Sequence, residues 1–181
     1  MKITETQLKG CFILEPTVYE DERGIFFESY HKTNLEKALG ETINFVQDNI
    51  SVSKKGVLRG LHFQAGKHAQ AKLVQVLQGE VLDVVVDLRK ESNTYGQHFK
   101  LKLSSKNKKL LFIPKGMAHG FLALTPEVIF AYKCDCHYHK ESERGIRYND
   151  PDLDIDWETK GMDLILSPKD LDLPLWKDLQ V

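Results

Sequence analysis

The sequence predicts an all-β fold, a jelly-roll barrel with a few short peripheral helices. Three observations lead there. About ten short segments are rich in β-branched and aromatic residues or alternate apolar with polar positions. Turn-forming clusters separate them at regular spacing. Helix signals are scarce. In chain order, strands are expected at Phe12–Leu14, Ile25–Tyr30, Ile43–Val52, Val57–Phe63, Ala71–Leu77, Val81–Leu88, His98–Leu103, Lys109–Ile113, Gly120–Leu124 and Val128–Cys134. Turns fall between them at Asp21–Gly24, Lys54–Gly56, Gln78–Glu80, Asn93–Gly96 and Ser105–Asn107. The one clear helix is Thr33–Gly40, where Thr33 can cap, Glu36 follows three residues later and Gly40 can stop it. From Asp150 onward the chain turns rich in Asp, Leu, Pro and Trp, which predicts short helical turns packed on the barrel. No repeat, low-complexity segment or linker interrupts residues 1–181, so one domain is expected.

Composition narrows the function classes. Apolar residues make up 41% and charged residues 28%, the balance of a globular chain. With 25 Lys+Arg against 26 Asp+Glu, the net charge of −1 gives no bulk attraction to nucleic acid or to an anionic membrane. No apolar run approaches a membrane span; Val81–Leu88 is broken by Asp83 and Asp87. The N-terminus carries no apolar signal region, and three cysteines make no disulfide framework. A reduced, cytoplasmic setting is the expectation.

Some clusters call for plain explanations. Lys106–Lys109 is expected as a solvated hairpin turn. Asp152, Asp154 and Asp156 alternate with Leu153, Ile155 and Trp157, a half-exposed extended segment lacking the Gly and terminal Glu of a calcium loop. Cys134-Asp135-Cys136-His137-Tyr138-His139 resembles a zinc cluster, but an extended chain would put the cysteines on one face and the histidines on the other.

The chemistry concentrates elsewhere. Gln47–Ser53 and Gly56–Gln64 bring Gln47, Asn49, Arg59 and His62 onto β-rich segments, where polar groups facing one way must line water or a pocket. Gln70-Ala71-Lys72 and Pro114–Phe121 follow. These runs resemble the two motifs of the cupin jelly roll. Gly56 stands six residues before His62, and Pro114, Gly116 and His119 keep the second motif. Gln64 stands where a metal-binding cupin has its second His, and Lys72 stands in the acidic ligand's region. A cation there repels a metal, so no metal is expected.

Over almost its full length the chain resembles the nucleotide-sugar epimerases that act on dTDP-4-dehydro-6-deoxyglucose at carbons 3 and 5. The shared pattern includes Asp21-x-Arg23-Gly24-x-Phe26-x-Glu28, Gln47-x-Asn49-x-Ser51, Gly56 to Gln64, Gln70-Ala71-Lys72, Ala118 to Phe121, Tyr132-Lys133-Cys134, Tyr138, Glu143 and Asn149-Asp150-Pro151. The resemblance implies a cofactor-free isomerase. Both target carbons flank the 4-keto group, so enolate formation acidifies their protons. The resemblance makes His62 the base, Asp170 its orienting partner and Tyr132 the acid on the other face. It sets Lys72 beside the keto oxygen and His119 in the sugar pocket.

For the nucleotide, Arg23 and Arg59 are the expected diphosphate clamps, since guanidinium matches phosphate oxygens bidentately. Glu28, Gln47, Asn49 and Glu143 match further contact positions. Phe26 and Tyr138 are candidates to sandwich the base or to pack in the core. In the family the N-terminal segment reaches a neighbouring subunit's site, so Arg23, Phe26 and Glu28 are expected to act in trans in a homodimer. Three alternatives stay open: an epimerase of one carbon only, a metal-dependent cupin, and a non-catalytic sugar-binding cupin.

Overall fold

A computed structural model of the protein describes residues 1–159 and 161–179. Its strands are β1 (Lys2–Glu5), β2 (Phe12–Glu15), β3 (Val18–Asp21), β4 (Gly24–Phe27), β5 (Gln47–Lys54), β6 (Leu58–Gln64), β7 (Lys72–Gln78), β8 (Glu80–Asp87), β9 (His98–Ser104), β10 (Leu110–Ile113), β11 (Met117–Ala123), β12 (Glu127–Cys134) and β13 (Glu143–Gly145). Two short helices, α1 (Lys32–Leu39) and α2 (Pro168–Leu171), accompany them. A six-stranded sheet in the order β1-β2-β10-β7-β12-β5 faces a five-stranded sheet in the order β13-β6-β11-β8-β9. All these pairings are antiparallel. This is the jelly roll expected from the spacing of the β-rich segments. β3 and β4 form a separate two-stranded hairpin.

Alternation explains the layers. In β5 the odd positions Asn49, Ser51 and Ser53 are more buried, while Asp48, Ile50, Val52 and Lys54 are exposed. Between the sheets, Val74, Val76, Val85, Leu111, Phe121 and Phe130 belong to one buried cluster. β8 is buried nearly throughout because both its faces are covered. Val81 and Val85 belong to the inner cluster, while Leu82, Val84 and Val86 pack with Leu153, Trp157 and Trp176 of the tail. The tail thus acts as a second cover on the five-stranded sheet, and α1 inserts Leu35 into a third cluster with Leu14, Leu73 and Phe112.

Several local expectations are corrected. The helix begins at Lys32, capped by His31 rather than Thr33; the His31 imidazole accepts from Asn34 N at 3.4 Å. Gly40 closes it in the left-handed region, as its lack of a Cβ allows. The strand expected at Ile43–Val52 runs over Gln47–Lys54, and the one expected at Gly120–Leu124 starts at Met117. The Lys106–Lys109 turn joins β9 to β10, which lie in different sheets, so it is a crossing and not a hairpin. Residues 151–154 form turns, with the Asp150 carboxylate accepting from Asp152 N and Leu153 N. The 134–139 run is not one extended strand. β12 ends at Cys134, the chain bends at 135–136, and Asp135 ties the bend to Ala71 N and Lys115. Residue 160 and residues 180–181 of the tail lie outside the described residues.

Candidate active site

Arg59 and His62 are three residues apart, a spacing that puts two side chains on opposite faces of a regular strand. Both nevertheless line one cavity, of about 310 Å³. A bulge resolves the conflict: His119 pairs with His62 but Phe121 pairs with Arg59, so β6 carries one extra residue against β11. The bulge falls at Gly60 and Leu61. A Cβ on Gly60 would lie 2.5 Å from the Gly120 Cα, so only two facing glycines let β6 and β11 approach so closely.

His62 Nε2 lies 2.5 Å from Asp170 Oδ1. Asp170 is in turn fixed by α2. Ser167 caps that helix by accepting from Asp170 N at 3.1 Å, and its hydroxyl donates to Asp170 Oδ2 at 2.7 Å. Burial works against the Asp170 carboxylate. The hydrogen bonds from His62 and Ser167, and the charge of His62, outweigh that burial and hold its pKa below the ordinary value.

Opposite stands Tyr132 on β12, in the other sheet, lining the same cavity. Burial is the main cause that raises its pKa, so its proton is held past the ordinary phenol range. Lys72, at the start of β7, also lines the cavity. Desolvation lowers its ammonium pKa, opposed by Cys134, Asp83 and Glu143. His119 on β11 is buried, with Nε2 2.8 Å from Asp83 Oδ2.

A second cavity adjoins the first and shares His62, Lys72 and Tyr132 with it. Gln47, Asn49, Tyr138 and Glu143 line this part. Gln47 Nε2 donates to Asn49 Oδ1 at 3.0 Å, and Gln47 Oε1 accepts from Tyr138 N at 2.9 Å. The Tyr138 hydroxyl donates to Glu143 Oε2 at 2.7 Å, which leaves the ring half-exposed at the cleft's rim. Tyr138 is therefore not core.

Arg23, Phe26 and Glu28 are not brought to this cleft within the chain. Arg23 and Phe26 line a groove of the β3–β4 hairpin itself, where Arg23 pairs with Asp21 at 2.6 Å. Phe26 is 70% exposed, so it is not core either. Among the described residues no three His, Cys, Asp or Glu side chains converge to hold a metal.

Sequence reasoning missed Lys169, which lines the cavity and pairs with Glu143 at 2.5 Å. Ser51 and Gln70, quoted in the shared pattern but given no role there, and Ser167 also line the cavity walls. Lys169 adjoins Asp170 in sequence, and that adjacency was the available signal.

The jelly-roll pocket sets a histidine of β6, paired with a carboxylate of α2, against a phenol and an ammonium on the six-stranded sheet, an arrangement that can move protons to and from a carbon acid. This is the class of cupin-fold acid–base isomerases. The family model described as dTDP-4-dehydrorhamnose 3,5-epimerase matches residues 5–178. The protein of that name from Methanothermobacter thermautotrophicus is 49% identical over 180 residues, 99% of this chain and 95% of the relative. The crystal structure of dTDP-4-dehydrorhamnose 3,5-epimerase from Elizabethkingia anophelis superposes with a TM-score of 0.96 at 52% identity, covering 100% of this chain and 99% of that one. A Legionella pneumophila 3,5-epimerase in complex with dTDP-4-keto-L-rhamnose gives 0.94 at 50% identity, covering 99% and 94%. The chain belongs to the dTDP-4-dehydrorhamnose 3,5-epimerase family.

Proposed function

We propose that this isomerase inverts carbons 3 and 5 of dTDP-4-dehydro-6-deoxyglucose to give dTDP-4-dehydrorhamnose, with no metal and no cofactor. The observation that carries the mechanism is the placement of His62 and Tyr132 on opposing sheets of one cavity. His62 takes the proton from a carbon beside the keto group, and the electron pair moves onto the keto oxygen. Asp170 holds the imidazole in one tautomer and stabilises the cation that forms. Lys72 faces the developing oxyanion as an ammonium. Tyr132 delivers its proton to the opposite face of the carbon, and exchange with solvent resets both groups before the second inversion. The raised Tyr132 pKa suits a donor that must still hold its proton when called upon.

Arg59 serves the diphosphate, Tyr138 stacks on the base, and Gln47, Asn49 and Glu143 position this nucleotide end. His119 borders the sugar. The missing contacts, Arg23, Phe26 and Glu28, come from a second copy in a homodimer. Two features support this: the hairpin leaves Phe26 and Tyr19 exposed, and β5 ends its sheet with exposed Ile50 and Val52. The cytoplasm suits three free cysteines, and among the described residues no helix is long and apolar enough to cross a membrane.

The test is incubation with the dTDP-4-keto-6-deoxy sugar in deuterium oxide. Deuterium should enter at both carbon 3 and carbon 5 with inversion at each. Entry at one carbon alone would identify a single-carbon epimerase, and entry at neither would overturn the assignment.

A further inference from the structure

Asp83 is a carboxylate in the wrong surroundings. Alternation along β8 turns it between the sheets with Val81 and Val85, opposite Phe121 on β11, and it is 0% exposed. Asp87, four residues further along β8, is also buried but is saturated by Arg89, Ser92 and Thr94. Asp83 has only His119: Oδ2 meets Nε2 at 2.8 Å, and Oδ1 has no hydrogen-bond partner among the described residues. A buried charge so thinly supported costs folding stability, so its use must be sought in the site.

The partner is telling. His119 stands directly opposite His62 on the β6–β11 ladder, and both line the same cavity. His62 is held through Nε2 by Asp170, and His119 is held through Nε2 by Asp83. The pocket therefore contains two histidine–carboxylate pairs side by side. In each, Nδ1 is the ring nitrogen without a protein hydrogen bond among the described residues. Lys72 likewise has no ion pair or hydrogen bond there, yet it feels the Asp83 charge through the barrel interior.

We propose that Asp83 is a positioning residue for the epimerisation. It fixes His119 with its proton on Nε2, so that Nδ1 offers a lone pair to a sugar hydroxyl, and it supplies the buried negative charge that keeps Lys72 an ammonium. This rests on the roles proposed above for His119 and Lys72. Burial is the largest influence and leaves the Asp83 pKa above the ordinary carboxylate value, while the charge and hydrogen bond of His119 and the charge of Lys72 pull against that rise. The other titratable or charged groups around Lys72 are Cys134 and Tyr132 on β12, Glu143 on β13, and His62 and Arg59 on β6. Of the anionic ones, Asp83 is the carboxylate that Lys72 shares with His119.

The experiment has two arms on the full-length protein. In the first, the pH dependence of inversion is compared between wild type and Asp83→Asn. The amide keeps the shape and an acceptor for His119 but removes the charge. The expected result is a kcat lower by about 10–100-fold with KM little changed. The alkaline limb should move down by on the order of one pH unit, because Lys72 loses its proton sooner. An alkaline limb that stays in place, with only the melting temperature lowered, would show a merely structural carboxylate and overturn the inference. The second arm needs no variant and stands if Asp83→Asn fails to fold. Nitrogen-15 NMR of wild-type His119 should report a protonated Nε2 and a bare Nδ1. The opposite tautomer overturns the positioning role. Failure of the wild type to epimerise at all would instead strike the functional assignment, and the NMR arm would still report on the pair.

Discussion

In the reaction proposed above, His62 starts with one nitrogen already committed, because Asp170 occupies Nε2. Replacing it with Ala should abolish both proton exchange and inversion, a loss on the order of 10²–10⁴-fold, measured by deuterium incorporation and product analysis. Tyr132→Phe should separate the two. Protons can leave to the His62 face and return from it, so exchange persists while inversion falls; full inversion would remove Tyr132 from the mechanism. Asp170 also carries a pH signature. Its folded pKa lies below the unfolded value of about 3.9, so its stabilisation is present above that pH and is lost as pH falls through the folded pKa. In urea titrations, the stability gap between wild type and Asp170→Asn should therefore be widest near neutrality and narrow below pH ~4. His62, Lys72 and Tyr132 were legible in the sequence because each sits in a recognisable run. Asp83 and Lys169 were not, since their meaning lies in partners on other elements: Asp83 meets His119 36 residues away, and Lys169 meets Glu143 on β13.

The strands were legible where side chains alternate between core and solvent, as in β5, or form an apolar run, as in β8. β1, β3 and β13 escaped notice because they are four residues or fewer and mostly polar or exposed. The bulge in β6 was also invisible, because no local pattern distinguishes three regular residues from a strand with one inserted. That bulge makes a sharp prediction at Gly120. A Cβ there would sit 2.7 Å from the Arg59 carbonyl oxygen, so Gly120→Ala must push β6 off β11. The expected loss is about 1–3 kcal/mol in denaturant unfolding, with activity falling as Arg59 and His62 lose their common face. A smaller effect belongs to α2. Ser167→Ala removes both the cap and a hydroxyl donor to Asp170, which should cost about 1 kcal/mol and lower kcat more than KM.

At the scale of the whole molecule, the cleft draws on two sheets and the tail, and the β3–β4 hairpin lines a groove of its own. If that hairpin completes a partner's site, mixing Arg23→Ala with His62→Ala proteins should restore part of the activity. No recovery in heterodimers shown to form would mean that each chain builds its own site. Dialysis against EDTA should leave turnover unchanged, and restoration of lost activity by zinc, manganese or iron would contradict a metal-free mechanism. By composition the tail was legible only as a cover, while the resemblance singled out Asp170 in it as the partner of His62; the structure makes that contact across 108 residues of chain. That span has a temporal consequence. On the ribosome every strand of the barrel, His62, Lys72 and Tyr132 included, emerges before Asp170 does. A nascent barrel can close around its interior while its imidazole still lacks a carboxylate to steady it. On the proposed mechanism, competence to move protons then arrives late, with the turn of α2, after the strands that carry the other groups.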